Sequence, residues 1–209
     1  MEQSVREPSS CSLSSAEAAP LTCRLPDPPL SPHPVERLVL QLSDPFNLAY
    51  QDDTAHAAYR PLPRGKTPSF GHCIVVASVL HEELARLFPG EVFTLESGHV
   101  YTTRGNSVFS HVHAWIHWTP ANSSGLLKDV NVIDKTVGQF TTAPHTVSVK
   151  SAKSLAQQGI FYQSLRTFPD LEAFCDQLAL REPNVRTRIE LFRDRFHAAW
   201  RSTIQCSER

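Results

Sequence analysis

Around Pro89-Gly90 the chain changes its hydrophobic period, and that change limits the folds open to it. Upstream, Val76, Ala77, Leu80, Leu84, Leu87 and Phe88 recur at steps of three and four, which predicts a helix over 74–88 with one apolar face. Thr67 and Ser69 are its candidate caps, and Pro89-Gly90 is its stop. Downstream, β-rich segments at 92–95 and 99–102 lead into a hairpin turn at Arg104-Gly105-Asn106-Ser107. A long strand over 108–118 follows, then a turn at Asn122-Ser123-Ser124-Gly125 and a strand over 130–133. After a loop containing Pro144, helices are expected at about 150–158, 169–181 and 183–204. The last of them carries Val185, Ile189, Phe192, Phe196 and Trp200 in helical register. A helix, an antiparallel meander and further helices make an α+β domain.

The flanks are simpler. Residues 1–34 are rich in Ser and Pro and cannot bury enough surface to offset their ordering entropy, so they read as a disordered arm. Residues 35–209 read as one domain, with a short helix or strand at 35–42 and a loop-rich stretch at 44–70 broken by Pro61, Pro63 and Pro68. A net charge of −1 over 209 residues provides no field to recruit nucleic acid or an anionic membrane. No run approaches the roughly 18 apolar residues of a membrane span. The first residues lack the charged-then-apolar order of a secretory signal, so the expected setting is cytoplasmic, or export without a cleaved signal peptide. Five cysteines without a C-x-x-C pair argue against a disulfide framework and against a thiolate zinc site.

Three short segments carry chemistry. Gly71-His72-Cys73 opens the predicted helix, His113-Ala114-Trp115 lies in the long strand, and Ile133-Asp134-Lys135-Thr136 closes the next strand. The free N–H groups and dipole at a helix start favour a thiolate, the attacking form of cysteine. A histidine partner stabilises that charge and later protonates a leaving group, and a carboxylate fixes the histidine's tautomer. Each residue alone has a plainer explanation: a buried helix cysteine, a strand-edge histidine, an aspartate capping a turn. The conjunction carries the weight.

Two other readings compete. His111, His113 and His117 share one face of the strand and suit a metal site, with Asp134, His72 or Cys73 as a further ligand. Arg186, Arg188, Arg193 and Arg195 on the last helix suit the docking face of a non-catalytic interaction domain, although Glu190 and Asp194 among them point to a solvated helix.

As a set, Gly71-His72-Cys73, Ser97-Gly98-His99-Val100, His113-Ala114-Trp115 and Ile133-Asp134-Lys135-Thr136 resemble the transglutaminase-like branch of the papain-like cysteine enzymes, in that family's order. The resemblance covers about residues 69–140. It implies a nucleophile helix packed on an antiparallel sheet, with Cys73 as nucleophile, His113 as base and acid, and Asp134 as orienter. It implies no cofactor. The family's upstream oxyanion donor, a Trp or Gln, is matched only on residue type by Gln51, and Lys135 stands where the family often has Pro. The implied activity is acyl transfer from an amide: a protease, an amidase or a glutamine deamidase acting on a protein or peptide. A host protein would be the target if the arm delivers the chain into another cell.

Overall fold

Two long strands form the spine of the molecule. β1 (Val92–Arg104) and β2 (Ser107–Thr119) pair antiparallel along their whole length around a turn at Gly105, whose φ is +58°. β3 (Asn131–Asp134) pairs with β2, β4 (Ser148–Ser151) with β3, and β5 (Ile160–Phe168) returns to the other side of β1. The result is a five-stranded antiparallel sheet in the order β4-β3-β2-β1-β5. These features belong to a computed structural model that describes residues 32–61, 64, 66, 68–121, 130–139 and 148–207. The expected arm, except its last residues, the Asn122–Gly125 turn and the Pro144 loop lie outside the described residues. Residues 32–209 make up one compact unit.

Among the described residues six α-helices accompany the sheet: α1 (Pro34–Gln41), α2 (Ser43–Ala49), α3 (Cys73–Leu87), α4 (Ala152–Gln157), α5 (Leu171–Ala179) and α6 (Val185–Ser207). α3 lays Val76, Val79, Leu80 and Leu84 against Leu95, Ala114, Ile116 and Ile133, residues of one face of the sheet. α6 closes that core from behind, with Phe196 4.5 Å from the ring of Phe46 on α2. The opposite face buries a smaller cluster of Val100, Trp115, Val132, Val137, Leu155 and Ile160. Strand alternation divides β2 between the two clusters, so that 113 and 115 face away from the α3 core while 114, 116 and 118 face it.

Several expectations need correction. β1 is one strand, not two: Ser97-Gly98 stays paired with β2 and carries only an irregularity in the pairing with β5. A Cβ on Gly98 would lie 2.0 Å from the carbonyl oxygen of Gln163, so the glycine admits β5 rather than ending a strand. β4 and β5 were not expected at all. β5 is an edge strand whose interior is mostly exposed, and it lacks the alternation by which strands are read. α2 lies in the stretch expected to be loop; Pro45 falls in its first turn, where no N–H is missed, and Phe46 anchors it. α3 is capped by His72, without a side-chain hydrogen bond from the cap.

Four of the arginines of α6 are engaged within the molecule. Arg186 pairs with Asp176, Arg188 with Glu182, Arg193 with Glu82 at 2.8 Å, and Arg195 with Asp53. They staple α6 to the elements around it. Among the described residues no helix is long and apolar enough to cross a membrane.

Candidate active site

The segment before α3 is pinned from several sides. Gly71 has φ +79°, and a Cβ there would stand 2.9 Å from the ring of Tyr59, so a side chain is excluded twice. Its carbonyl accepts the N–H of His56 at 2.9 Å. His72 is buried, with Nε2 3.0 Å from the Gln51 carbonyl and 3.1 Å from the Thr54 hydroxyl, and Nδ1 3.1 Å from the Phe70 carbonyl. Its ring packs 5.0 Å from Tyr50. Cys73 follows as the first residue of α3, half-buried and not in a disulfide. Its backbone N–H belongs to the first turn, where no intrahelical acceptor exists.

β2 and β3 bring the imidazole to a carboxylate. Trp118 pairs with Asn131 and Ile116 with Ile133, which sets Asp134 beside Trp115 and within reach of His113 on the same face. His113 Nε2 lies 2.8 Å from Asp134 Oδ2, and the two side chains are only 1% exposed. Three further donors fill the carboxylate. Tyr162 of β5 donates its hydroxyl to Oδ2 at 2.6 Å, and the hydroxyl and backbone N–H of Thr136 both donate to Oδ1 at 2.8 Å. With Nε2 committed, Nδ1 is the nitrogen left for a reactant, and the side-chain amide of Gln139 stands 3.2 Å from it. The thiol of Cys73 is within hydrogen-bonding reach of the same ring.

Burial alone would push His113 toward the neutral form. The charges of Asp134 and Cys73, with their hydrogen bonds, overcome it and raise the imidazole to about 10. Asp134 is held below the usual carboxylate range: burial opposes this, but the His113 charge and the donors from His113, Tyr162 and Thr136 prevail. At neutral pH the arrangement holds an imidazolium between a carboxylate and a sulfur atom.

One residue on, Lys135 is 8% exposed and donates to the Ser43 hydroxyl at 2.7 Å. Burial lowers it to about 7, with Asp44 pulling weakly the other way.

Cys73 and His113 line a cleft of about 480 Å³. Its walls come from α3, β1, β2, β5 and α5, and Gly71 and Gly98 border it where the backbone approaches most closely.

Of the residues singled out from sequence, Cys73, His113 and Asp134 come together. Gln51 is exposed and does not line the cleft; its carbonyl instead supports His72. The histidine trio does not converge. His111 and His117 are six positions apart on one extended strand, about 20 Å, and His117 faces Glu96 at 3.4 Å. Among the described residues no group of three His, Cys, Asp or Glu side chains is placed to hold a metal ion.

Tyr162 and Gln139 were missed. Tyr162 sits on a strand that sequence reading did not find, and the run Ile160-Phe161-Tyr162 after Gly159 was its one visible signal. Gln139 sits in a short 3₁₀ turn and had none. No protein-family model, no curated protein and no solved structure matches the chain.

Proposed function

We propose that this chain is a cysteine-dependent acyl-transfer enzyme acting on amide bonds of a protein or peptide, of the transglutaminase-like, papain-like kind that its motifs resemble. The observation that carries the reading is the buried His113, bonded through Nε2 to Asp134 at 2.8 Å and held protonated by Asp134 and Cys73 together.

In this reading Sγ of Cys73 attacks the carbonyl carbon and the carbonyl π electrons move to oxygen. The backbone N–H of Cys73 receives that oxyanion. The side-chain amide of Gln139, 3.2 Å from Nδ1, is a second candidate donor. Nδ1–H of His113 passes its proton to the departing amine as the C–N bond breaks, leaving a thioester on Cys73. Water, deprotonated by the now neutral His113, or an amine then takes the acyl group and restores the thiolate–imidazolium pair. Asp134 stays ionised throughout and steadies the imidazolium.

The test is trapping of the thioester. Purified protein is incubated with a protein digest, quenched in acid, and the peptide containing Cys73 is examined by mass spectrometry for a hydroxylamine-labile acyl adduct. The adduct is expected in the wild type and absent in Cys73→Ala. Amide turnover that persists at full rate in Cys73→Ala would sink the reading.

A further inference from the structure

The charge around the cleft is not balanced, and that imbalance speaks to what enters. Its acidic lining residue is Glu182, whose carboxylate is taken up by His56 at 3.0 Å and by Arg188. Two arginines also line it, Arg166 on β5 and Arg181 just after α5. Neither guanidinium has an ion-pair partner among the described residues, in contrast to the four paired arginines of α6. Between these charges the walls are apolar: Ile74, Phe168 and Leu178, then Val112 and Leu165, which remain 80% and 60% exposed. Apolar side chains left open beside unpaired cations mark a surface that gains by being covered with something apolar and anionic. A volume near 480 Å³ falls in the range that holds a ligand of a few residues.

We infer that the cleft receives the acyl side of an extended peptide presenting a bulky apolar residue toward Ile74, Phe168 and Leu178, with acidic side chains near it that meet Arg166 and Arg181. This rests on the reading of Cys73 as the nucleophile, which the same cleft contains. A basic peptide is rejected by the two guanidiniums, so the arginines act by repulsion as well as attraction.

The experiment separates the two ideas by using Cys73→Ala, which cannot form an acyl-enzyme. Fluorescent peptides of one length, with a central Phe or Leu flanked by Glu, Gln or Lys, are titrated by anisotropy. The Glu peptide is expected to bind at least about tenfold tighter than the Lys peptide, equivalent to about 1.4 kcal/mol. The preference should shrink at an ionic strength of about 0.3 M and reverse in Arg166→Glu/Arg181→Glu. Both arginines are exposed, so the double variant keeps the fold. Equal affinities, no measurable binding of any peptide, an unchanged order in the double variant, or tighter binding of coenzyme A than of any peptide would overturn the inference. Thioester trapping in the wild type is scored separately. Adducts without charge preference defeat this inference alone, whereas charge-selective binding without any adduct defeats the nucleophile alone.

Discussion

His72 and His113 are both buried, both lie at the candidate site, and they sit on opposite sides of neutrality. His72, in the segment leading into α3, meets the Gln51 and Phe70 carbonyls, and burial lowers its pKa despite them. His113, where β2 meets β3, is as fully buried and is nonetheless raised to about 10. Carbonyl dipoles satisfy a ring without charging it, whereas a buried carboxylate in contact keeps the proton on. The first histidine therefore anchors backbone. The second holds a proton beside the Cys73 thiol.

If formal charge divides the two rings, Asp134→Asn should turn His113 into a second His72. Amide turnover is expected to fall by about 10²–10⁴-fold, and the alkaline limit of activity to move down from about pH 10 toward the usual histidine range; a pH–rate profile of both proteins checks this. Lys135 offers a third case, a buried cation that donates to the Ser43 hydroxyl. Its folded pKa of about 7 lies below its usual 10.5, so the unfolded chain holds the extra proton between those values and stability rises with pH there. Lys135→Met should therefore stabilise by about 2–4 kcal/mol below pH 7, with the gain shrinking as pH rises toward 10.5. Urea titrations across that range would show it.

His113 has the opposite sign. Its contribution is whole below about pH 6.5 and is lost as pH climbs to about 10, so His113→Ala should cost most in acid and least in alkali. His72→Ala should cost about 2–4 kcal/mol of stability from lost packing and orphaned carbonyls, while turnover per folded molecule stays within about tenfold. A larger loss of turnover would mean that His72 does more than hold the turn. The smallest effect belongs to Tyr162→Phe, which removes one of four donors to Asp134 without changing shape. Turnover should drop by about threefold to tenfold, the worth of one such bond, and Tyr162→Leu should drop it further.

How far the sequence could be read depended on whether each signal was local. α3 announced itself by period, β2 by alternation around His113, and the Asp134-x-Thr136 end of β3 by its place after an apolar run. These are properties of neighbouring residues. The mostly exposed β5, the short β4 and α2 exist because tertiary packing overrides weak local preference, as the packing of Phe46 against Phe192 and Phe196 does for α2. The site divides the same way. Cys73, His113 and Asp134 stand in readable motifs, while Tyr162 reaches Asp134 only through β5 pairing with the far side of β1. The histidine face of β2 was read correctly as a face and wrongly as a cluster. Alternation says which way side chains point, not how far apart along the strand they are.

The sheet is also assembled out of chain order, since the chain leaving β4 must pass β3, β2 and β1 to lay β5 along the far side of β1. During synthesis, α3 and the β1–β2 hairpin emerge with the thiol and the imidazole before Asp134, and Tyr162 comes later still. A chain interrupted anywhere before residue 134 thus carries a sulfur atom and a ring without the carboxylate that pairs with the ring. Pairing of β3 with β2 therefore supplies the carboxylate, and the later closure of β5 onto β1 adds one more donor to it.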